Sequence, residues 1–365
     1  MKFVFASYVY SEGYNRPEEW LQYIRFYGGI LESLSKKNEI TSIEQIDYEG
    51  QYPHGGVNYQ FKRFPKSSLY VPLGLHRFIK GLKPDVVFIQ GLHFPIQVMQ
   101  LRVMLGKRVK IIVQNHAEKP FTGIKKHLQK LADHSINAYL FASREMGLDW
   151  IKKGNLSSPG KVHEVMEISS VFYPIEKELA KTRIKVTGNP IFLWVGRLNK
   201  NKDPLTVVAA FLKFVHSEPT ARLYMIYHTD ELLEQVKDIL QYSVNKDSIV
   251  LVGKVPNDEL LYWYNSADFI VSGSHYEGSG TAVCEAMSCG CIPVVTDIFS
   301  FRMITDHGNC GVLYKPGSAA ITLLALMQTK TLDIREKREN SLKHFRENLS
   351  FEAIATRIDG IAASL

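Results

Sequence analysis

The chain has 365 residues, of which 45% are hydrophobic and 22% are charged, and its formal net charge at pH 7 is +7. This composition is typical of a globular protein of about two domains. We expect no transmembrane helix, because no run approaches the roughly 18 apolar residues that a membrane span needs.

Apolar strand-like runs alternate with amphipathic helical stretches along the whole chain. In the first half, strands are predicted at 3–8, 40–46, 86–90, 110–114, 138–142 and 163–168. In the second half, they are predicted at 191–195, 222–227, 249–252, 269–272, 292–296 and 311–313. Strands that alternate with helices favour parallel sheets covered on both faces. A series of six strands separated by helices occurs twice. This pattern predicts an α/β fold with two doubly wound, Rossmann-like domains.

The domain boundaries follow from a change in composition. The polar, charge-rich stretch 176–189 is the predicted linker, so we assign residues 1–180 to the first domain and 181–348 to the second. Residues 349–365 are predicted to form an amphipathic final helix. Residues 1–6 are too short and too strand-like for a signal peptide, so we expect a cytoplasmic protein.

The net positive charge of the chain lies in its first half. Residues 1–180 contain 24 Lys and Arg against 17 Asp and Glu, whereas the rest of the chain contains 20 of each. Basic clusters lie at 107–110, 125–130 and 152–153. One interpretation is a solvated basic surface. The other is attraction to an anionic acceptor or to anionic lipids at the inner face of a membrane. We expect no nucleic-acid partner, because no motif of a known nucleic-acid module is present.

The four cysteines lie within 284–310 and lack the spacing of a zinc site. We expect them to be small buried residues in a reducing compartment, and we expect no metal site.

A strand followed by small residues and a helix gives the strongest functional signal. The predicted strand 269–272 precedes Glu277, and the helix predicted at 281–289 carries Glu285 and is closed by Gly290. The small residues between them are Gly278, Ser279 and Gly280, followed by Thr281. The free N–H groups and positive dipole of such a helix N-terminus favour an anion. A carboxylate one turn further on accepts hydrogen bonds from a vicinal diol such as a ribose, and Glu277 can serve a second polyol. Phosphate, ribose and sugar together indicate a nucleotide sugar.

Two cations on another strand-to-helix loop support this interpretation. Arg197 and Lys202 follow the predicted strand 191–195. A diphosphate that leaves a sugar gains charge, which either a divalent metal or fixed cations must stabilise. The chain has no Asp-x-Asp, the usual metal-holding motif in metal-dependent glycosyl transfer, so we expect Arg197 and Lys202 to replace the metal.

With these motifs the sequence resembles retaining glycosyltransferases of family 4, the glycosyl transferases group 1, which have the GT-B fold. The resemblance covers about residues 191–314 and is weaker over the first 180. Its motifs are Gly196-Arg197-Leu198-x3-Lys202, Gly253-x-Val255, Ala267-Asp268, Glu277-Gly278-x-Gly280-x4-Glu285-Ala286-Met287, Gly290 and Pro293-Val294.

The resemblance implies two domains facing a cleft, with the final helix 349–365 packing back on the first domain. It also implies a function. A sugar would pass, with retention and without metal or cofactor, from a nucleoside diphosphate sugar to a hydroxyl of a glycan or lipid-linked acceptor. The setting would be bacterial surface glycan or glycolipid assembly. Catalytic roles are implied for Arg197, Lys202, Glu277 and His116, the last contacting the donor sugar. Donor-binding roles are implied for Gly13, Gly196, Gly278, Ser279, Gly280, Thr281 and Glu285.

Other functions remain open at this point. A nucleotide-sugar epimerase shares the two-domain architecture but needs no acceptor. A non-catalytic nucleotide-sugar-binding protein would keep the fold without turnover, although the intact set of charged residues argues against it. Some residues have structural interpretations: Asp203 and His275 are expected to cap a helix or shape a loop, and the Gly28-Gly29 pair to kink a helix or admit another backbone.

Overall fold

The computed structural model describes residues 1–65 and 70–365. It divides into two compact units. Unit 1 comprises Met1–Ser169 together with Phe351–Leu365, and unit 2 comprises Ser170–Ser350. Within the described ranges, none of the helices is both long enough and apolar enough to span a bilayer.

The sheet of unit 1 has eight strands. In chain order they are β1 (Lys2–Ala6), β2 (Glu39–Glu44), β3 (Gly50–His54), β4 (Val57–Phe61), β5 (Val86–Gln90), β6 (Lys110–Gln114), β7 (Ala138–Phe141) and β8 (Val162–Glu164). Their order across the sheet is β3-β4-β2-β1-β5-β6-β7-β8, and all neighbours are parallel except the β3–β4 hairpin. The prediction of six strands in this half was therefore wrong. The hairpin was missed because Gly50 and Pro53 are unfavourable in strands, and an edge strand such as β3 tolerates them.

The helices of unit 1 follow its parallel strands. They are α1 (Pro17–Tyr23), α2 (Arg25–Ser35), α3 (Leu73–Gly81), α4 (Pro95–Leu105), α5 (Gly123–Ala132), α6 (Arg144–Lys152) and the last helix of the chain, α15 (Phe351–Ser364). Helix α15 packs on α2. An added Cβ at Gly29 would lie 2.8 Å from ring atoms of Phe351, so the glycine makes room for an aromatic side chain. The alternative of a second backbone at this pair was wrong.

The sheet of unit 2 has six parallel strands, at the places the sequence predicted. They are β9 (Ile191–Gly196), β10 (Arg222–Tyr227), β11 (Ile249–Gly253), β12 (Phe269–Ser272), β13 (Ile292–Thr296) and β14 (Val312–Tyr314). Their order is β11-β10-β9-β12-β13-β14. The strands are nearly continuous apolar runs because the sheet is covered on both faces. At the centre of the core, the rings of Phe192 and Phe269 stack with centroids 4.8 Å apart.

The helices of unit 2 complete the doubly wound pattern. They are α7 (Lys177–Ile184), α8 (Pro204–Phe214), α9 (Leu233–Gln241), α10 (Leu260–Ser266), α11 (Thr281–Ser288), α12 (Phe299–Ile304), α13 (Ala319–Gln328) and α14 (Ile334–His344). The prediction of two doubly wound α/β domains is confirmed.

The linker prediction was wrong. Most of the stretch 176–189 is helix α7, which packs on α10 and belongs to unit 2. Its polar composition reflects an exposed face, whereas Ala180 is buried and Lys177 forms an ion pair with Asp268. The chain changes unit earlier, between Ser169 and Ser170, and again between Ser350 and Phe351.

Strand order locates the binding edge of each unit. In doubly wound sheets, ligands bind beyond the carboxyl ends of the strands at the point where strand order reverses. This switch point lies between β1 and β5 in unit 1 and between β9 and β12 in unit 2. In unit 2, the loops there are the two that carry the predicted anion-binding residues.

The contact of Gly29 with Phe351 can be tested by adding one methyl group. Gly29→Ala should lower the free energy of unfolding by about 1–3 kcal/mol, since overpacking displaces the ring and with it α15. The matched control is Gly28→Ala, whose Cβ would meet only the Tyr59 hydroxyl at 3.6 Å, an ordinary contact. Urea unfolding of both variants measures the difference; equal stabilities would contradict the packing described.

Candidate functional site

Two loops meet at the switch point of unit 2. The first follows β9 and runs from Arg197 to Asp203, and the second, residues 273–280, follows β12. The backbone N–H of His275 donates to the carbonyl of Asn201 at 2.8 Å, and the Asn201 side-chain amide donates to the carbonyl of Tyr276 at 2.9 Å. These hydrogen bonds join the two motifs that the sequence identified separately.

Glycine and a helix cap make this approach of the loops possible. An added Cβ at Gly273 would lie 3.0 Å from the carbonyl oxygen of Asp203. The Asp203 side chain caps α8 by accepting from the N–H of Thr206 at 3.3 Å, and its Oδ2 lies 3.3 Å from Nε2 of His275. Asp203 and His275 therefore shape the loops, as predicted.

Lys202 and Glu277 are in direct contact. The Lys202 Nζ donates to Glu277 Oε1 at 2.6 Å, and both side chains are largely buried, with 24% and 12% of their surface exposed. The backbone N–H of Lys202 donates to the Asn199 side chain at 3.0 Å, which holds the loop that carries the lysine. Because unpaired charges are costly at such burial, each residue requires its partner unless a ligand takes its place.

Arg197 lies at the end of β9 with an exposed side chain. Its guanidinium forms no ion pair with any residue that the structure describes. The next residue is fixed, because the N–H of Leu198 donates to Oγ1 of Thr229 at 2.8 Å. Gly196 adjoins the lysine stem, since an added Cβ would lie 3.6 Å from Cδ of Lys202, an ordinary contact. Sequence reasoning missed Thr229, although a hydroxyl at the carboxyl end of β10 was a usable signal.

The N-terminus of α11 presents unbonded backbone N–H groups. Gly280 precedes the helix with a φ of 59°, and its carbonyl accepts from Val283 at 2.9 Å and Cys284 at 3.1 Å. The N–H groups of Thr281 and Ala282 come before these and have no backbone acceptor in the described ranges. Together with the helix dipole, such N–H groups favour an anion, and the binding of an anion here stays a prediction.

The remaining small residues of this loop, Gly278 and Ser279, are buried. Gly280 itself must be a glycine, because its backbone is left-handed and an added Cβ would lie 2.7 Å from the ring of Phe301.

Glu285 is held in position by a tyrosine that the sequence did not single out. The Tyr264 hydroxyl donates to Oε2 of Glu285 at 2.7 Å. Burial, followed by the charge of Glu285, raises the pKa of Tyr264 well above its usual value of 10.0, so the phenol remains a donor at neutral pH. Glu285 thus lies one turn beyond Thr281 with a fixed carboxylate.

The cysteines near this site are packing groups. All four are buried and free; Cys284 lies within α11 and Cys289 directly follows it. Burial raises the pKa of the Cys289 thiol, and that of Cys310, to about 12, so both stay protonated at neutral pH.

In unit 1, Gly13 lies in the loop after β1. Its N–H donates to Oδ2 of Asp47 at 2.7 Å, and the Tyr10 hydroxyl donates to Oδ1 of the same carboxylate at 2.5 Å. These residues border a cavity of about 870 Å³. Its lining consists of Tyr10, Glu12, Gly13, Asp47, Arg63, Phe64 and Pro65.

His116 follows β6 in unit 1 and has partners at both ring nitrogens. Its Nε2 lies 2.6 Å from Oε1 of Gln90, and its Nδ1 pairs with Oε2 of Glu167. The buried Glu118 carboxylate accepts from the N–H groups of His116, at 2.5 Å, and Leu92, at 2.8 Å. Partial burial disfavours the charged ring, but Glu167 and then Glu118 outweigh it, so the pKa of His116 is raised.

Sequence reasoning missed Glu167. The strand predicted at 163–168 included it, whereas β8 ends at Glu164 and leaves Glu167 in the following loop. Loop residues at the carboxyl ends of parallel strands are candidates for function. If the predicted strand had ended at residue 164, Glu167 would have been identified as such a candidate.

Comparisons with known proteins agree with the fold. Sucrose-phosphate synthase from Thermosynechococcus elongatus has a TM-score of 0.70 at 14% identity, covering 100% of this chain and 98% of that chain. Anabaena HepE, solved in complex with UDP and glucose, has a TM-score of 0.69 at 13% identity, with 100% of both chains covered. The chain therefore has the GT-B fold of glycosyltransferases.

The second unit carries the family relationship. Residues 175–346 match the model of the family Glycosyl transferases group 1. The matched residues lie within unit 2, which is therefore similar to the glycosyl transferases group 1 family.

Individual relatives match this chain over part of their length. A D-inositol 3-phosphate glycosyltransferase of Streptosporangium roseum is 27% identical over 172 residues, which are 43% of this chain and 39% of that protein. A GDP-mannose:cellobiosyl-diphosphopolyprenol alpha-mannosyltransferase of Xanthomonas oryzae is 27% identical over 162 residues, 43% of each chain. The chain thus spans about two fifths of the length of these relatives.

The His116–Glu167 pair predicts a pH dependence. Because the pKa of His116 is raised above its ordinary value of 6.5, the stability from the pair is fully present below about pH 6.5 and is lost as pH rises through the raised pKa. Glu167→Gln should lower the His116 pKa in an NMR titration, and its loss of stability in urea should be larger at pH 6 than at pH 9. Glu18→Gln, on an exposed carboxylate of the same unit, is the control. A stability loss that grows with pH would contradict the pairing.

Proposed function

We propose that this protein is a metal-independent, retaining glycosyltransferase of the family 4 type. It would transfer a sugar from a nucleoside diphosphate sugar to a hydroxyl of a glycan or lipid-linked acceptor. One observation carries the proposal: at the switch point of unit 2, Arg197, Lys202 and the open N–H groups of α11 lie on two hydrogen-bonded loops.

The arrangement suits the departure of a diphosphate. The bond between the anomeric carbon and the donor phosphate breaks as a bond from the acceptor oxygen forms on the same face. The acceptor proton passes to the leaving phosphate. The negative charge that develops on that phosphate is stabilised by fixed donors, which need no reorganisation during the step. Arg197, Lys202 and the N–H groups of residues 279–282 are the proposed donors.

The two carboxylates have separate roles in this proposal. Glu285, fixed by Tyr264, accepts hydrogen bonds from the ribose. Glu277 accepts hydrogen bonds from hydroxyls of the donor sugar. Its contact with Lys202 neutralises both charges in the absence of donor. A bound diphosphate offers the lysine a second anionic partner, and the sugar offers Glu277 new donors, so the pair is poised between sugar and phosphate.

Unit 1 contributes two residues to the proposal. His116, held by Gln90 and Glu167, stays among the residues proposed to act in catalysis. Gly13 stays among the donor-binding residues, and the cavity that it borders offers room for a ligand.

The comparisons support a nucleotide sugar and a bacterial glycan setting. Anabaena HepE was solved with UDP and glucose, and the Xanthomonas relative is named for GDP-mannose and a cellobiosyl-diphosphopolyprenol acceptor. We propose the same chemical classes of donor and acceptor here. Given the basic first half of the chain, we also propose peripheral contact with an anionic membrane.

The rival functions differ in their products. A nucleotide-sugar epimerase converts the donor without releasing nucleoside diphosphate, and a binding protein leaves it unchanged. Incubating the protein with UDP- and GDP-sugars, with and without alcohol or glycan acceptors, and measuring free nucleoside diphosphate separates the three. Release that increases with acceptor supports the transferase; an altered sugar without release would establish the epimerase.

Lys202→Ala tests the proposed cation. Turnover should fall by about 100-fold or more, roughly the effect of removing one donor to the transition state. Lys200→Ala is the matched control, because Lys200 lies two residues away in the same loop with an exposed side chain. Activity should persist in excess chelator. Strict dependence on Mg²⁺ or Mn²⁺, or equal losses in both variants, would refute the assignment.

A further inference from the structure

Helix α5 exposes two large hydrophobic residues, whereas a helix that only packs on a core would bury them. Ile124 and Leu131 are 81% and 57% exposed, whereas Gln129 is buried and donates to the Tyr139 hydroxyl at 3.2 Å. Ile124 and Leu131 are seven residues apart, two turns of helix, and therefore lie on one face. The outward surface of α5 therefore carries an apolar stripe.

The neighbouring helix shows the same feature. Helix α4 packs on α5 and buries Val98 and Leu101, while Ile96 and Val103 are 36% and 86% exposed. These two residues are also seven apart, so a second apolar stripe runs beside the first. We call the four residues Ile96, Val103, Ile124 and Leu131 the α4–α5 face. An aromatic residue adjoins it, because the Gln100 side chain on α4 donates to the carbonyl of Tyr70, whose side chain is 74% exposed.

The segment that carries the α4–α5 face is basic. Residues 95–132 contain eight Lys and Arg and a single acidic residue, Glu118. Glu118 is buried and accepts backbone N–H groups of unit 1, so it does not offset the surface charge. Lys107, Arg108 and Lys130 are exposed near the helix ends. An apolar face bordered by basic side chains is complementary to an anionic bilayer. The acyl chains contact the apolar side chains, and the head groups attract the basic ones.

We propose that unit 1 binds anionic membranes through the α4–α5 face, with Val103, Ile124 and Leu131 entering the head-group region and Lys107, Arg108 and Lys130 contacting lipid phosphates. This inference specifies the surface for the membrane contact proposed above. It does not require transferase activity, because vesicle binding is measured without donor or acceptor.

The central test is co-sedimentation with vesicles. At low salt, the protein should pellet with vesicles of phosphatidylglycerol and phosphatidylcholine but not with phosphatidylcholine alone, and added salt should weaken binding. The triple variant Val103→Gln, Ile124→Gln, Leu131→Gln should lose at least about tenfold in affinity, because three apolar side chains no longer enter the bilayer. The matched control is Leu324→Gln, a similarly exposed leucine on a helix of unit 2, at 63% exposure.

Some outcomes would overturn the proposal. These are wild-type protein that stays in the supernatant at low salt, a triple variant that binds as well as wild type, and a control that loses as much. Light scattering tests for a second copy on this face: a dimer that the triple variant converts to a monomer would assign the face to self-association instead.

A single-site reporter covers the case in which the triple variant does not fold. All four native cysteines are buried and free, so Ile124→Cys can be labelled selectively with an environment-sensitive fluorophore. Its emission should shift to the blue on anionic vesicles, whereas the same label at Leu324→Cys should not respond. An unchanged spectrum at position 124 in the presence of vesicles that bind the protein would also overturn the proposal.

Discussion

The hydrogen-bonded junction between the loops after β9 and β12 is the feature on which the candidate site depends. Neither loop alone contains both the cations Arg197 and Lys202 and the N-terminus of α11. Joined through Asn201, they place Lys202 on Glu277 and carry Arg197 at the end of the adjacent strand. The junction requires a glycine at 273, where a Cβ would press on the Asp203 carbonyl. Strand order determines that these loops are neighbours, because β9 and β12 are paired at the switch point.

Two charged side chains of this junction neutralise each other. The Lys202–Glu277 pair keeps two largely buried charges neutral, and Tyr264 keeps Glu285 in one orientation. In unit 1, Glu118 accepts from the backbone N–H of His116, and Glu167 pairs with the His116 ring. Both units therefore hold their candidate site residues at the carboxyl ends of parallel strands with hydrogen bonds that local sequence alone does not specify. Such preorganisation suits a reaction whose main requirement is stabilisation of developing charge.

Much of unit 2 was predictable from the sequence. Its strands are continuous apolar runs bounded by turn residues, and the start of α11 follows from the small residues 278–280, so strand positions and the anion-binding end were both predicted. The side-chain partners were not. The Lys202–Glu277 contact joins residues 75 apart, and Tyr264 carries no local signal. In unit 1, the hairpin of β3 and β4 was missed because of Gly50 and Pro53. The charged helix α7 was mistaken for a linker because its exposed face dominates its composition.

The central claim is that the two loops of unit 2 bind a nucleoside diphosphate through α11 and the lysine of the junction. A crystal structure of the protein with UDP or GDP, grown without divalent metal, tests it most directly. The account predicts a phosphate oxygen within about 3.2 Å of the N–H of Thr281 or Ala282 and of Nζ of Lys202, with the ribose hydroxyls on Glu285. A diphosphate bound elsewhere, or one that leaves Lys202 in contact with Glu277 alone, would contradict it.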